Sequence, residues 1–316
     1  MKLICTVGEI LVEIMRKEKN ASLSKPGLFL GPYPSGAPAI FADALAKLGI
    51  PCALIGSVGN DAFGRCIIDR LQSDGVDTSQ IQTVEDRTTG MAFVTYNDDG
   101  NREFLFHIGH SAAVQVDVQK LSLSLLERIW LLHISGTTLA INKNMCDLCL
   151  KLAKMVKERG GLVTFDLNVR RELLGREELQ KRYFSLLSFC DYILPSQGEA
   201  EFVTGCCDLS SAVQFFLERG IRGVILKRAE KGCELFTPDG HKSYPGFPVE
   251  EVDPTGAGDC FNAGFVYGLA NEWSWDDTLT FANAMGALAV RKQGPMEGAE
   301  ELSVIRRFIS SYPQID

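Results

Sequence analysis

Asp253 and Asp259 enclose Pro254, Thr255, Gly256, Ala257 and Gly258 in the stretch VDPTGAGDCFNAGF, residues 252–265. Beyond them Phe261, Phe265 and Leu269 recur at i, i+4 and i+8, which predicts a helix that turns this face to the core and carries Asp259 in its first turn. The first N–H groups of a helix have no partner within it and lie at the positive end of its dipole. With so little side chain, Gly256, Ala257 and Gly258 let a phosphate approach those amides closely. That is an anion hole, and an aspartate beside it suits removal of a proton from a hydroxyl as a phosphoryl group arrives. The same dipole is expected to lower the pKa of Asp259 and leave it a weak base, which suffices where the attacking hydroxyl becomes acidic late. A capping turn is the alternative, and TGAGD alone fits either. There is no GxxxxGK[ST], and no GxGxxG follows a strand and opens a helix, so P-loop and dinucleotide-binding designs lose ground.

The elements that must position this loop alternate along the chain. Candidate strands are LICTV (3–7), CALIGSV (52–58), WLLHI (130–134), LVTFDL (162–167), YILP (192–195) and GVILK (223–227). Helical spacing covers 38–48, 61–73, 141–158 and 275–293. Such alternation predicts an α/β core, a mostly parallel sheet flanked by helices, with ligands at the carboxyl ends of the strands. Residues 10–35 and 84–110 lack helical period, and the second contains GMAFVTY and REFLFHI around a turn at Gly100. They are expected to pair as a small sheet outside the core, a lid flanking one helical unit within a single domain, 1–316. The opening MKLICTVGEILVEIM reads as a first strand interrupted by Glu9 and Glu13, with no secretory cleavage pattern.

Composition narrows the partners. The 316 residues are 46% hydrophobic and carry a net charge of −8, which argues against nucleic acid or an anionic membrane as main partner. No apolar run reaches the roughly 18 residues of a membrane helix. Ten cysteines lie scattered without a disulfide framework, so a cytoplasmic setting is expected. Cys146 and Cys149 form a CxxC inside a helical pattern, and neither they nor the adjacent Cys206 and Cys207 find further zinc ligands.

DPTGAGDCFNAGF resembles the C-terminal signature of the ribokinase-like (pfkB) family of ATP-dependent sugar and nucleoside kinases, and SGAPAIFADALAKLGIPCALIGSVGNDAFG (35–64) resembles its N-terminal signature. FDLNVR (165–170), LPSQGEAE (194–201), KRAEKG (227–232) and FANAMGALAVRKQG (281–294) follow in the family's order, so the likeness spans nearly the whole chain. Within the family GEILVEIM, GPYPSGAPAIF and GPMEG (294–298) are most similar to the tagatose kinase type, with fructokinases and 2-keto-3-deoxygluconate kinases as neighbours. The resemblance implies ATP and Mg2+, with K+ as a further cofactor, a small-molecule sugar as acceptor, and a homodimer formed through the lid.

It also implies roles. Asp259 would be the base, and Gly256, Ala257 and Gly258 the anion hole. Asp253, with Thr255, Ala289 and Gly294, would hold a monovalent cation, unless Asp253 only stabilises the turn. Lys227 to Gly232 matches the loop along which ATP lies and Asn283 the position beside adenine; an ordinary charged loop and a solvated amide are the alternatives. Glu199 would position magnesium through water. The family's asparagine in NxxE is Ser196 here, so a nucleotide contact there is shortened or replaced by helix capping. On the sugar side, Glu13 would accept hydroxyl hydrogen bonds where Gly36 and Ala37 bring backbone to the ring, against an exposed edge strand and simple turn geometry. Ile40 replaces another family asparagine and cannot hydrogen-bond. Asn168 and Arg170 end a strand on the ligand side, where Arg170 would hold substrate or phosphate, or pair with an acid. Asn101 and Arg102 would reach the sugar from the lid, and His107, His110 and His133 are expected to pack or to contact the lid. Outside the sugar kinases, a nucleoside kinase and a catalytically silent binding regulator on the same fold stay open.

Overall fold

The computed structural model describes residues 2–98 and 102–312. Strands β1 (Leu3–Val7), β2 (Leu11–Arg16) and β3 (Phe29–Ser35) open the chain. Helix α1 (Ala37–Lys47), β4 (Cys52–Gly59), α2 (Ala62–Ser73) and β5 (Ile81–Val84) follow, then β6 (Gly90–Tyr96) and β7 (Arg102–His107). Next come α3 (Leu123–Leu126), β8 (Ile129–Ser135), α4 (Gly136–Ile141), α5 (Lys143–Glu158), β9 (Leu162–Asp166), α6 (Arg176–Leu187), β10 (Tyr192–Ile193), α7 (Glu199–Thr204) and α8 (Leu209–Leu217). The last part holds β11 (Gly223–Lys227), β12 (Cys233–Thr237), β13 (Gly240–Tyr244), α9 (Ala257–Ala270), α10 (Trp275–Ala289) and α11 (Leu302–Ser310).

Nine strands form one sheet in the order β13-β12-β11-β10-β9-β8-β1-β4-β5, parallel from β11 to β5, with the hairpin β12–β13 added antiparallel at one edge. Strands covered on both faces must be apolar on both. In β1, Ile4 enters the core with α1, α9 and α10, while Leu3, Cys5 and Val7 enter the opposite core with α5 and α6. In β4, Leu54 and Ile55 divide the same way. This two-sided burial is why the expected strands read as continuous apolar runs. The amphipathic α5 places Met145, Leu148, Cys149, Leu152 and Val156 inward, so Cys146 and Cys149 are core residues.

The opening stretch is two strands rather than one. The chain leaves the main sheet after Val7, and β2 joins a second sheet of order β3-β2-β6-β7. This is the expected lid, although α1, β4, α2 and β5 all lie between its halves rather than a single helical unit. The turn at Gly100 and Asn101 lies outside the described residues. Helical spacing at 141–158 conceals a break at Asn142, whose side chain caps α5 through the amide of Met145 at 2.8 Å. The spacing over 275–293 overruns by four residues, since α10 ends at Ala289. Among the described residues no helix is long and apolar enough to cross a membrane.

Candidate active site

A cleft of about 250 Å³ lies between the carboxyl ends of the parallel strands and the underside of the lid. Its floor comes from residues just past strand ends: Thr137 after β8, Asp166, Asn168 and Arg170 at β9, Ser196 and Glu199 after β10, and Lys227 at the end of β11. The lid contributes Leu11, Glu13, Ser35, Ala92, Arg102, Phe104 and Phe106. Two helix starts close the ends, Gly36, Ala37 and Ile40 from α1 and Pro254, Thr255, Gly256, Gly258 and Asp259 from α9.

The helix expected after the glycines is α9, with Asp259 in its first turn. Gly256 is the N-cap residue with φ 80° and makes no side-chain cap, and a Cβ there would stand 2.3 Å from the Pro295 carbonyl, so only glycine fits. Among the described residues the amides of Gly258 and Asp259 donate to no backbone group, and that of Ala257 makes only a long 3.4 Å turn bond to Pro254. The bare amides face the cleft beside Asp259, whose carboxyl no neighbour hydrogen-bonds.

The expected lowering of the Asp259 pKa is wrong. Burial in the concavity pushes it up to about 8, and the nearby Asp166 carboxylate adds to the rise, while Lys227 and Arg170 oppose it. Desolvation of a nearly enclosed carboxyl outweighs one helix dipole. Asp259 keeps some surface open to the cleft, so water entering there moderates the effect. A carboxyl that titrates near neutrality is a stronger base than expected and is matched to physiological pH.

Beneath it lies a buried triangle. Lys227 Nζ stands 2.9 Å from Asp166 Oδ2 and donates to Asn262 Oδ1 at 3.4 Å, and Asn262 Nδ2 donates to Asp166 Oδ2 at 2.6 Å. Lys227 is therefore not part of an exposed charged loop: its ammonium lies 3.6 Å from the position of a Cβ on Gly258, under the anion hole. Five carboxyl groups (Glu9, Glu13, Asp166, Glu199, Asp259) share the cleft with three cations (Arg102, Arg170, Lys227).

At the opposite end, Glu13 is buried rather than on an exposed edge. Oε2 accepts from Ser35 Oγ at 3.1 Å, and Oε1 has no partner among the described residues. Burial, reinforced by Asp253, pushes its pKa up to about 7. Glu9 is raised to about 7 by burial also, while Thr138 Oγ1, donating at 2.7 Å, pulls it down. Gly36 has φ 106°, and a Cβ would stand 2.4 Å from the Glu9 carbonyl, so α1 starts hard against the β1–β2 crossing. Among the described residues the Arg170 side chain makes no ion pair or hydrogen bond. Its guanidinium lies 5.6 Å from the Phe104 ring centre and that of Arg102 lies 5.5 Å from the same ring. Asn168 Nδ2 is engaged with Ser135 Oγ at 3.1 Å.

Other expected residues lie outside the cleft. Asn283 is buried, not solvated, and donates to the Tyr244 and Pro245 carbonyls at 3.2 and 3.1 Å, tying α10 to the end of β13. Gly232 packs against the same Tyr244 carbonyl. Ser196 lines the cleft but does not cap α7, whose N-cap residue is Gly198; its amide donates to Glu199 Oε2 at 2.7 Å. His133 is buried, stacked on Phe41 and bonded to Thr164 at 2.9 Å, and burial holds its pKa down at about 3. His107 lies on the lid against Phe93, and His110 is exposed.

The ion sites divide. Glu199 Oε1 accepts from the Val169 amide at 2.8 Å and Oε2 from Ser196, which leaves each oxygen one lone pair toward the cleft. Among the described residues no cluster of three or more His, Cys, Asp or Glu could hold a metal alone. The free lone pairs of Glu199 are hard oxygen donors of the kind magnesium takes, directly or through its water. Asp253 is filled further: Oδ1 accepts from Tyr96 OH and the Thr255 amide, each at 2.9 Å, and Oδ2 from the Gly294 amide at 2.9 Å. One lone pair on Oδ2 remains open, and the Asp253 amide donates to the Val290 carbonyl at 3.1 Å, next to Ala289 in the chain.

Sequence reasoning missed Glu9, Asp166, Asn262, Tyr96 and the aromatic pair Phe104 and Phe106. Asp166 had a signal, since it ends a strand inside FDLNVR, and Glu9 had one in breaking an apolar run; Tyr96 and Asn262 had none.

Residues 1–302 match the profile of the pfkB family carbohydrate kinase. Fructokinase-1 of Zea mays is 31% identical over 319 residues, covering 97% of this chain and 98% of that one. A candidate ribokinase II from E. coli, solved in complex with ATP and Mg2+, superposes with a TM-score of 0.93 at 39% identity and covers 99% of this chain and 100% of its own. A double-mutant fructokinase from Vibrio cholerae O395, in a form bound to fructose, ADP and a potassium ion, matches with a TM-score of 0.85 at 26% identity over 98% of both chains. The α/β body with its four-stranded lid is thus a ribokinase-like fold. Profile, relatives and cleft agree, and the chain belongs to the pfkB family of carbohydrate kinases, ATP-dependent enzymes that transfer a phosphoryl group to an alcohol.

Proposed function

We propose that the acceptor is a ketohexose, fructose or tagatose, held at the lid end of the cleft and phosphorylated at the start of α9. The observation that carries this reading is a pair of unsatisfied carboxyls facing one cleft: Glu13, with a buried Oε1 lacking any partner, and Asp259, which no neighbour hydrogen-bonds. Glu13 accepts sugar hydroxyls, and Gly36 and Ala37 bring backbone to the ring beside Asn168 and Arg170. The acceptor oxygen attacks the γ-phosphorus of ATP in line, its proton passes to Asp259, and the bond from γ-phosphorus to the bridging oxygen breaks, so that ADP leaves with the electron pair. The amides of Gly256, Ala257 and Gly258 receive the equatorial oxygens as charge builds. Lys227 supplies positive charge from below, and Ser196 lies along the nucleotide, whose adenine side Gly232 and Asn283 shape from behind. Glu199 would hold magnesium through water, and the ion would supply positive charge to the phosphates. Asp253, Thr255, Ala289 and Gly294 would hold a potassium ion, whose charge would steady the loop. The relatives named fructokinases support the sugar class.

An ADP-release assay with Mg2+ and ATP over tagatose, fructose, 2-keto-3-deoxygluconate, ribose and adenosine tests this. The largest kcat/KM is expected for fructose or tagatose, and a preference for adenosine would reverse the reading. A second reading rests on Arg170, which has no anionic partner and shares Phe104 with Arg102: such guanidiniums suit a substrate carboxylate, as in 2-keto-3-deoxygluconate. The outer lid face, with Leu28, Phe29, Phe93 and Leu105, is where two copies would pair. Light scattering of Leu105→Glu checks that pairing.

A further inference from the structure

Behind the anion hole, away from the cleft, five charged side chains meet where α1, α2 and the segment 294–299 converge. Arg70 Nε donates to Asp74 Oδ2 at 2.6 Å, Nη1 to Glu297 Oε1 at 2.8 Å and Nη2 to the Met296 carbonyl at 3.1 Å. Lys47 Nζ donates to the Ala299 carbonyl at 3.2 Å and stands 3.4 Å from both Asp43 and Asp74. Asp43 is wholly buried, and neither of its oxygens accepts a hydrogen bond. Asp74 lies beside it, so a proton retained on Asp43 satisfies the pair.

The other side of segment 294–299 touches the catalytic loop. The Pro295 carbonyl is packed so closely on Gly256 that a Cβ would stand 2.3 Å away, and the Gly294 amide donates to Asp253. The segment is therefore clamped, by Arg70 and Lys47 on one side and by the loop on the other. The charges of Asp43 and Lys47 also act on the thiol of Cys260, the residue after Asp259. Surface ion pairs contribute little, but here a guanidinium donates to three groups at once, two of them, the Met296 carbonyl and Glu297, two and three residues beyond Gly294, in a half-buried setting.

We propose that Arg70, with Lys47, Asp43, Asp74 and Glu297, is a positioning network that holds segment 294–299 against Gly256 and so sets where the bare amides of α9 point. It rests on the reading of those amides as the site of the terminal phosphate. Loosening the clamp lets the Pro295 carbonyl retreat and the loop follow, which costs phosphate grip and turnover without touching the sugar end.

The test uses Mg2+ with adenosine 5′-(β,γ-imido)triphosphate and with ADP, because their binding does not depend on which sugar is the substrate. In Arg70→Met the imido analogue should lose about tenfold in affinity while ADP changes less than about twofold, the size expected of a sub-ångström misplacement. Arg70→Lys should recover part of the loss. Glu297→Gln, at a half-exposed site that the fold tolerates, should lose about threefold in the same ratio. Where fructose turns over, kcat should fall in parallel and the sugar KM should hold. Lys157→Met is the control: it breaks a 2.7 Å ion pair to buried Asp191, ahead of β10 at the far end of the sheet, and should lower the melting temperature but leave the nucleotide ratio alone. An unchanged ratio in folded Glu297→Gln and Arg70→Lys, or an equal change in Lys157→Met, would overturn the proposal. Equal affinity of the wild type for both nucleotides would overturn it together with the anion-hole reading.

Discussion

Replacing Asp259 by asparagine keeps size and shape and removes the only cleft-facing carboxyl at the start of α9. The pair of kcat/KM profiles against pH then isolates its role. With a pKa of about 8, Asp259 is ionised in roughly one-tenth of free enzyme molecules at pH 7, so wild-type kcat/KM, measured with nucleotide and sugar both below saturation, should climb about tenfold per pH unit below pH 8 and level above it. Loss of a positioned base costs about 10²–10⁴ in rate, or roughly 3–5 kcal/mol of transition-state stabilisation. Asp259→Asn should therefore fall by that factor on the plateau and lose the limb.

Two further variants fix the assignment by sign. The Asp166 carboxylate raises the Asp259 pKa, so Asp166→Asn should move the limb toward acid by about one pH unit; Lys227 lowers it, so Lys227→Met should move the limb about as far toward base. Glu9 and Glu13 titrate near 7 in the same cleft, but their contribution survives in Asp259→Asn and can be subtracted. The reasoning is refuted if Asp259→Asn turns over within threefold of wild type, or if the limb shifts the same way in Asp166→Asn and Lys227→Met.

Buried acids also set the pH dependence of stability. Asp43 is pushed up to about 8 by burial and its contact with Asp74, and Glu9 and Glu13 to about 7, so in the folded state each holds a proton that the unfolded chain releases near pH 4. Their stabilising contribution is whole below pH 4 and drains away as pH rises to about 8, so the melting temperature should decline from pH 5.5 to 8.5, and Asp43→Asn should narrow that decline by about 1–3 kcal/mol in denaturant titrations; a larger decline in the variant counts against it. Gly256→Ala pushes a Cβ to 2.3 Å from the Pro295 carbonyl and forces φ 80° on an L residue, costing about 1–3 kcal/mol and most turnover, whereas Gly75→Ala, at φ 91° with open space around it, should cost stability alone; equal kinetics in the two would contradict the close packing. Tyr96→Phe takes one donor from Asp253 and frees the lid end from the Thr255 loop, so it should lose about 1–3 kcal/mol in thermal melts, and an unchanged melt would show that this hydroxyl carries no such tie.

How far the sequence reaches follows from how local each feature is. The parallel strands were legible because burial on both faces demands unbroken apolar runs such as LICTV and GVILK, and α9 because its spacing begins where glycines stop. The β12–β13 hairpin was not read, although CELFT, a turn at Pro238 and Asp239, and GHKSY form an edge strand pair: its exposed residues on β13 carry no hydrophobic signal. The switch of β2 into a second sheet was half legible, in the polar breaks at Glu9 and Glu13, yet nothing in the order of residues says that the two halves of the lid meet across α1, β4, α2 and β5.

The chemistry divides along the same line. Which residues ring the cleft was largely readable, since Asp259, Lys227 and Asn168 each sit next to a strand end or helix start and Glu13 breaks an apolar strand. Their states were not, because a pKa is a sum over elements distant in sequence. The helix dipole, the one influence on Asp259 visible in the local sequence, points the wrong way. The decisive terms are the enclosure made by four strand ends and a lid, and Asp166, which stands 93 residues earlier in the chain. The same holds for Asn283, which occupies a plausible ligand position in the pattern but has its amide nitrogen engaged by two carbonyls from β13 and the residue after it. A residue's type and spacing state what it is able to do; what it is free to do depends on the hydrogen bonds the rest of the fold has already claimed. By that measure Arg170 and Glu13 Oε1, both left without partners in a crowded polar cleft, are the positions where substitution should alter which sugar is accepted, and Asp253, nearly filled, is one where substitution should loosen the loop first.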